Sequence, residues 1–513
     1  MFKNHPKGLL AASLANMGER FGFYTMMGIL TLFLMAKFGL NETSAGVIYS
    51  VFYALIYLLA LAGGVIADKT RNYKGTILLG LILMAVGYLI IAVPTPTPVP
   101  ENKFTLFLIL TCVGLFVIAF GNGLFKGNLQ ALVGQMYDNP QYSKMRDSGF
   151  QLFYMFINVG AIFAPLLAVL VRNWWVESNG FAYNADLPEL AHAHLGNSIT
   201  AEGAQRFQEL AKEVGFVGND MTQFANEYLN VFNTGFHYAF GIAIIAMLTS
   251  LVIYVANKKR FPNPAMKVNT AGEPNVQAED DMPIEEVKQR LYALFAVFAV
   301  VIFFWFSFHQ NGLTQTYFAK DFTDLSRIKL NLGFTSLQGA EIFQSINPFF
   351  VVFLTPLIMA LFGWLRAKGK EPSTPKKIAI GMGIAAAAYV LMTIGSQGLP
   401  LKSELEAMGG LPDAQRVTPW LLIGTYFILT VAELFISPLG ISFVSKVAPP
   451  KYQGVMQGAW LGATAVGNQL LFIGAIFYSS IPIWATWLIF VAACVISMFT
   501  MLFMLKWLER VSQ

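Results

Sequence analysis

Long apolar runs separated by short polar segments dominate the 513-residue chain. Each run is long enough for a helix to cross a hydrocarbon core of roughly 30 Å. A membrane barrel would instead show short segments of alternating polarity. The pattern therefore predicts an all-α polytopic membrane protein with about twelve transmembrane helices, near residues 9–36, 45–67, 75–94, 104–134, 148–171, 234–256, 290–318, 338–365, 377–396, 418–446, 453–479 and 481–507.

Two connections between the predicted helices are longer than the others. Residues 172–233 contain the amphipathic stretch AEGAQRFQELAKEVG, which predicts a small extracytoplasmic cap with short helices. Residues 257–289 form a polar stretch that predicts a cytoplasmic linker. The linker would divide the chain into two six-helix bundles, residues 1–256 and 290–513, an organisation that many transporters use.

Composition and charge agree with a membrane protein. The chain is 56% hydrophobic and only 12% charged, too little charge to cover a soluble protein of this size. Lys and Arg are concentrated at the N-terminus and in every second connection, which predicts that both termini are cytoplasmic. The net charge of +5 comes without a basic stripe, so we expect no nucleic-acid partner. Cys112 and Cys494 lie in apolar runs and indicate neither a disulfide framework nor a metal site.

Five ionisable residues interrupt the apolar runs: Glu19, Arg20, Lys126, His309 and Glu433. A charged side chain at bilayer depth costs at least a few kcal/mol, so such residues usually face a polar cavity and mark a substrate or ion pathway. Glu19 and Arg20 alone could be a structural ion pair between helices. A single cavity shared by all five residues is the simpler interpretation.

Five motifs in order along the chain are more specific. They are NMGERFGFY at 16–24, GGVIADKTRNYKGTI at 63–77, FYMFINVG at 153–160, PSTPKK at 372–377 and AELFISPLGISFVSKVAP at 432–449. Together they resemble the signatures of the proton-coupled oligopeptide transporters, a branch of the major facilitator superfamily. The likeness covers nearly the whole chain. It implies a major facilitator fold with one substrate pocket between two six-helix bundles.

The resemblance also implies which residues form the pocket. Matched position by position, the substrate-binding residues are Arg20, Tyr24, Tyr57, Lys126, Tyr154, Asn158, Trp305, Gln310, Asn347, Glu433 and Trp460. Three positions depart from the family pattern. Asn16 replaces the first Glu of the first-span motif, His309 replaces the acidic residue before Gln310, and Met27 stands where members often have Arg or Lys.

The residue types suit a short peptide, which is a zwitterion at neutral pH. Arg20 and Lys126 can bind its carboxylate, and Glu433 can bind its ammonium. Asn158 and Asn347 can hydrogen-bond to its amides. Alternatively, the asparagines could only join helices, and the tyrosines and tryptophans could be packing or interfacial residues.

Proton coupling requires a group that changes charge as the pocket switches sides. The candidates are Glu19, Glu433, His309 and Lys126; Glu433 could pair with Lys126 or Arg20 when no peptide is bound. An imidazole ordinarily titrates near neutral pH, so His309 could stand in for the missing Glu, but it could equally be a neutral hydrogen-bond partner. Asp68 and Arg71 are candidates for a cytoplasmic gate.

The sequence thus predicts a secondary active importer of di- and tripeptides in the cytoplasmic membrane of a bacterium, working by alternating access with proton symport. We expect a monomer in the lipid bilayer that uses the proton gradient and no cofactor or metal. Alternatives are a proton-independent facilitator, a carrier of another small anion or drug, and a receptor without flux. An enzyme is not expected, because HExxH, GxSxG and paired catalytic aspartates are missing from the sequence.

Overall fold

The computed structural model describes residues 5–137, 139–142, 146–262, 282–449 and 452–512. Within these residues, 12 helical segments are long and apolar enough to cross a membrane. The predicted number of spans and the helical fold class are therefore confirmed.

The first half contains six long helices and a small cap. Side-chain caps start several helices: the Asn41 carbonyl accepts the Ser44 N–H at 2.8 Å before α2, and Asp220 accepts two N–H groups before α8. The long helices are α1 (Gly8–Phe38), α2 (Glu42–Thr70), α3 (Tyr73–Ala92), α4 (Glu101–Met136), α5 (Arg146–Ser178) and α8 (Met221–Asn257), and the cap consists of α6 (Leu187–Leu195) and α7 (Ala201–Glu213).

The second half also provides six spans, two of which are broken. The seventh span is interrupted by a 3₁₀ turn (His309–Gly312), and the eleventh consists of two consecutive helices. The helices are α9 (Ile284–Phe308), α10 (Thr314–Phe322), α11 (Ile346–Ala367), α12 (Thr374–Gly395), α13 (Lys402–Met408), α14 (Pro419–Val447), α15 (Gln453–Gln469), α16 (Leu471–Ser480) and α17 (Ile483–Val511).

The structure differs from the sequence prediction in two connections. Helices α5 and α8 extend beyond the predicted spans, so the segment between them covers only residues 179–220 rather than 172–233. A short antiparallel hairpin, β1 (Leu330–Asn331) and β2 (Ser336–Leu337), joins the seventh and eighth spans in a chain predicted to be all-α. The extended ends of α5 and α8 and the hairpin lie on the face of the helix bundles that carries the cap. We call this face the cap side.

The two halves touch along specific helices. Helix α2 packs against α15 and α16, and α5 packs against α11 and the hairpin. Helix α8 ends at Asn257 and α9 begins at Ile284. The division of the chain at 257–289 stays a prediction, and residues 263–281 of that linker lie outside the described residues.

Glycines bring α2, α3 and α4 into close backbone contact. A Cβ atom on Gly63 would lie 2.0 Å from the carbonyl oxygen of Gly123, and one on Gly121 would lie 2.7 Å from that of Gly80. Both distances are too short for any larger residue. The glycines at 121 and 123 therefore serve close helix packing, which fixes the depth of the polar residue between them, Asn122.

Candidate functional site

Polar residues from four separate helices meet at the middle of the spans. The phenol of Tyr57 on α2 lies within electrostatic reach of Tyr24 and Arg20 on α1, Tyr154 on α5 and Glu433 on α14. All five are residues predicted for the pocket. The fold thus brings residues more than 400 positions apart into one site, with contributions from both halves.

Glu19 and Arg20 form a two-pronged ion pair although they are neighbours on α1. The guanidinium Nε and an Nη donate to the two Glu19 carboxylate oxygens at 2.6 and 2.7 Å. The Asn122 amide also donates to Glu19. Both charged residues are buried, at 1% and 4% exposure. The positive charge of Arg20 is therefore already compensated inside the first half.

Lys126 is the other cation of this site. Its ammonium lies 4.9 Å from the centroid of the Tyr57 ring, over the ring face. In the described part of the chain, no carboxylate lies within ion-pair distance of it. A cation–π contact compensates only a fraction of a lysine's charge. Half-buried Lys126 is thus left to attract an anion.

Glu433 supplies a negative charge from the second half. Its carboxylate accepts a hydrogen bond from the Asn347 amide at 2.9 Å, and the same amide donates to the Thr430 hydroxyl at 2.9 Å. The predicted pairing of Glu433 with Lys126 or Arg20 is wrong for this conformation. Arg20 instead uses the nearer Glu19, and no described cation lies within ion-pair distance of Glu433.

Helix α5 presents accessible polar groups to the same region. Tyr154 is 57% exposed, and the Asn158 amide donates to the backbone carbonyl of Tyr154 at 3.2 Å. That bond uses one amide hydrogen, so the remaining polar atoms of Asn158 can serve a ligand. Tyr154 lies near the start of the fifth span, toward the side opposite the cap, so its high exposure indicates that the site is accessible from that side.

His309 is placed between the two halves. Its Nδ1 hydrogen-bonds the Oδ1 of Asn468. One face stacks on Trp305 with centroids 4.9 Å apart, and Tyr53 from the first half lies 4.6 Å away. Asn468 and Tyr53 are site residues that the sequence reasoning missed. The repeat of tyrosines at 49, 53 and 57 on one face of α2 was an available signal for Tyr53.

Three predicted residues are packed rather than accessible in this conformation. Gln310 is fully buried, donating to the Leu471 carbonyl at 3.2 Å and accepting from Thr314 at 2.9 Å. Trp305 and Trp460 are 7% and 4% exposed. The polar groups of Gln310 are satisfied within the second half, which does not favour its predicted contact with substrate.

The predicted gate on the opposite side from the cap is only partly described. Arg71 is exposed at the end of α2, in a left-handed conformation with φ of 50°. The side chain of Asp68 lies outside the described part of the chain, so the gate role of both residues stays a prediction.

Ion pairs between the halves occur instead on the cap side, where the sequence reasoning did not place them. Among the described residues, the pairs that join the two halves are Arg172–Glu341, Lys320–Glu189, Lys402–Glu42, Lys402–Glu189 and Arg416–Asp186. All lie at the cap-side ends of the helices. The structure is therefore closed on the cap side, with the accessible mid-span residues below that closure.

The densest part of this closure surrounds Lys402. Its ammonium lies 2.8 Å from Glu42, 3.2 Å from Asp321 and 3.3 Å from Glu189. Lys320 bridges Glu189 at 2.8 Å and Asp321 at 2.9 Å, and Glu406 lies 3.8 Å from Lys402. We call these six residues the cap-side cluster. They line a cavity of about 550 Å³.

The fold and the site define a multi-pass membrane protein with a polar site enclosed between two sets of spans, the arrangement of a carrier. The model of the POT family matches residues 74–277 and 267–483. The chain belongs to the POT family, which is a transporter family.

Curated relatives align with most of the chain. A dipeptide and tripeptide permease A of Chromobacterium violaceum is 28% identical over 454 residues, covering 88% of this chain and 81% of the relative. The peptide transporter YePEPT of Yersinia enterocolitica is 29% identical over 488 residues, covering 91% and 87%.

Solved structures show the same fold. A peptide transporter POT in complex with sulfate superposes with a TM-score of 0.72 at 22% identity, covering 100% of this chain and 96% of the other. A POT family transporter in complex with 5-aminolevulinic acid superposes with a TM-score of 0.71 at 21% identity, covering 100% and 98%. These likenesses confirm the two-bundle major facilitator fold expected from the sequence.

Proposed function

We propose that this protein is a secondary active transporter that imports di- and tripeptides across a bacterial inner membrane by alternating access with proton symport. It works as a monomer, needs no cofactor, and has both termini in the cytoplasm, so the cap side faces outward. Relatives named as dipeptide and tripeptide permeases and the bacterial origin of those relatives support this proposal.

The observation that carries the proposal is a pair of opposite charges on the two halves. Lys126 and Glu433 each lack an ion-pair partner among the described residues and lie at the same site. A zwitterionic peptide has the complementary charges. Its carboxylate binds Lys126 and its ammonium binds Glu433, so binding compensates both charges and connects the two halves.

Groups between these anchors can hold the peptide backbone. The free polar atoms of Asn158 and the accessible phenol of Tyr154 can bond with its amide and carbonyl groups. These contacts use features that all peptides share. Different side chains are then accepted as long as the space between the halves accommodates them.

Protonation of a carboxylate at this site would remove the charge with which it binds a cation. Protonating Glu19 would release Arg20 from its two-pronged pair and make the guanidinium available to the peptide carboxylate. Protonating Glu433 would remove its negative charge and favour release of the peptide ammonium. His309 and Lys126 are the other two proton candidates.

Uptake of labelled dialanine into proteoliposomes tests the proposal, with and without an inward proton gradient. Symport predicts accumulation above the equilibrium level only with the gradient. Lys103→Gln, which changes an exposed lysine at the start of α4, is the control and keeps full uptake. Uptake that only equilibrates would indicate a facilitator, and no peptide uptake would favour a carrier of another small anion.

A further inference from the structure

The cap-side cluster contains more negative than positive charge. Its carboxylates are Glu42 on α2, Glu189 on α6, Asp321 on α10 and Glu406 on α13, and its ammonium groups are Lys320 and Lys402. Two negative charges are therefore in excess when all six are ionised. The other ion pairs around the cavity, Arg172–Glu341 and Arg416–Asp186, are already balanced.

Closing the cap side brings the two excess negative charges of the first half close to Glu406. Glu42 and Glu189 belong to the first half, whereas Asp321, Glu406, Lys320 and Lys402, whose charges balance, belong to the second. In the closed form, carboxylate oxygens of Glu42, Glu189 and Glu406 lie within 4.8 Å of one another. Carboxylates held so close cannot all remain ionised without a compensating positive charge.

A metal ion is not the best candidate for that charge. The Lys402 ammonium already occupies the position of a cation shared by these carboxylates. It lies 2.8 Å from Glu42, 3.3 Å from Glu189 and 3.8 Å from Glu406. An ammonium and a metal ion at the same position would repel each other. A proton on one carboxylate removes excess charge without displacing Lys402.

Glu406 is the carboxylate of the cluster that is most accessible to solvent protons. Its side chain is 49% exposed, compared with 38% for Glu189, 3% for Glu42 and 2% for Asp321. It is also the carboxylate farthest from Lys402. The weakest ion pairing and the greatest access to water therefore coincide at Glu406.

We propose that Glu406 is a proton-binding site: closing the cap side binds one proton there, so that acid stabilises the cap-side-closed form. This inference adds a proton site to the proposed symport function, on which its role in transport rests. The proton comes from the aqueous solution and converts the Glu406 carboxylate to a neutral carboxyl group. The neutral carboxyl group of Glu406 can still donate a hydrogen bond to a neighbouring carboxylate.

The electrostatics of the cluster also predict that acid favours the cap-side-closed form. Burial, opposed by Lys402 and reinforced by Glu189, Glu42 and Asp321, raises the pKa of Glu406 to about 7. Opening separates Glu406 from Glu42 and Glu189, so its pKa falls back toward the ordinary value of 4.5. Between these values the proton is bound in the closed form only. A fall in pH through this window therefore favours closure.

Other charged groups near Glu406 do not reverse this direction. Burial would raise the pKa of Glu189, but the ammonium groups of Lys320 and Lys402 lower it overall, so it stays ionised. Burial lowers the pKa of His192, which keeps its ring neutral. The remaining ionisable groups on the elements around α13 include Glu42 on α2, Asp321 on α10 and Tyr478 on α16. They also include His194 on α6, Glu202, Arg206, Glu209, Lys212 and Glu213 on α7, and the pairs Arg172–Glu341 and Arg416–Asp186.

A distance measurement between the halves tests the proposal. Labels are attached at Lys212→Cys on α7 and Gln397→Cys beyond α12, both exposed, in a Cys112→Ser background because Cys112 is the exposed native cysteine. The protein is reconstituted in lipid nanodiscs at pH 8 and pH 6. We expect the short-distance, cap-side-closed population to rise at pH 6. In Glu406→Gln it should be high at both pH values.

Glu404→Gln on the same helix is the matched control. Glu404 is exposed and accepts a hydrogen bond from the Leu401 N–H, which a glutamine oxygen can also accept, so the pH response should stay that of the parent protein. A pH response that persists in Glu406→Gln, or a short-distance population that falls at pH 6, would overturn the proposal. Lys402→Gln is a second variant; it increases the excess negative charge and should favour the open form at both pH values.

This experiment separates the proton site from the proposed transport function. If dialanine uptake ignored a proton gradient while the distance response still depended on Glu406, symport would be wrong and the proton site would stand. If uptake followed the gradient but the distance response did not depend on Glu406, symport would stand and this site would be wrong.

Discussion

The mid-span site and the cap-side cluster are built from the same residue types but use them in opposite ways. In the mid-span site, Lys126 and Glu433 carry opposite charges without an ion-pair partner among the described residues. In the cap-side cluster, Lys402 contacts carboxylates from both halves within 2.8 to 3.8 Å. Charges that pair across the halves stabilise one conformation, whereas charges left without a partner are available to a ligand.

The largest expected effect comes from removing the central cation of the cap-side cluster. Lys402→Met leaves Glu42 and Asp321 buried without their shared partner, and breaking a buried ion pair costs about 3–5 kcal/mol. We expect a lower Tm and a loss of the cap-side-closed population. Thermal unfolding in detergent and the inter-label distance measure these changes. Lys103→Met, at an exposed position at the start of α4, should leave both unchanged. Equal losses in the two variants would show that the effect is not specific to the buried Lys402.

The next largest effect concerns the two mid-span charges without ion-pair partners. Lys126→Gln and Glu433→Gln should each weaken dialanine binding by about 2–3 kcal/mol, roughly 30-fold or more, because each removes one charge-assisted contact. Isothermal titration calorimetry measures the affinity.

Modified peptides identify which charge each residue binds. A peptide with an amidated C-terminus should bind with equal affinity to Lys126→Gln and to the parent protein. An N-acetylated peptide should bind with equal affinity to Glu433→Gln and to the parent protein. If both peptides lost the same affinity in both variants, the assigned orientation of the peptide would be wrong.

A smaller and more selective effect is expected at His309. His309→Gln can keep a hydrogen bond to Asn468 but cannot titrate, so peptide affinity should change by less than about 1 kcal/mol. Gradient-driven accumulation should nevertheless fall if His309 takes part in proton coupling. Accumulation equal to that of the parent protein would assign His309 a purely structural role.

The smallest effect is expected on the side opposite the cap. Glu371 pairs with Arg366 and Lys377, all three in the second half. Hydrogen bonds from Arg366 and Lys377 lower the pKa of Glu371 to about 2. Any stability from its ionised form is therefore present above its ordinary pKa and is lost only as the pH falls toward 2.

Glu371→Gln should accordingly leave the inter-label distance unchanged at pH 6 and pH 8, because its ion pairs do not join the halves. The change in Tm should be modest, because the pair with the exposed Arg366 contributes little to stability, whereas the buried Lys377 loses its carboxylate partner. A clear change in the distance would show that ion pairs within one half also control the conformation.

Much of the mid-span site was predictable residue by residue. Glu19, Arg20, Lys126 and Glu433 stand out because a charge within an apolar run needs a reason, and the structure places all four in one region. Asn122, Thr430 and Asn468 were missed, because an uncharged polar residue in a span carries no such signal. Tyr53 was missed although the tyrosine repeat on α2 indicated it.

The cap-side cluster could not be predicted from the sequence. Glu42, Glu189, Asp321 and Lys402 lie in different connections and helix ends, where charged residues are common and usually solvated. Nothing in their spacing along the chain indicates that they meet. The predicted cap with short helices was present in the structure, but its ion pairs with the second half were not foreseen.

The spans, their number and the charged residues at bilayer depth can be read from the amino-acid sequence, because the cost of placing a residue in hydrocarbon depends mainly on its own side chain and close neighbours. Which of these charges pair with each other depends on the packing of the helices. In the folded protein, Glu19 pairs with Arg20, and carboxylates from both halves surround Lys402. Lys126 and Glu433 have no ion-pair partner among the described residues. Pairing depends on distances between helices far apart in sequence, and those distances are fixed only when the two halves pack together.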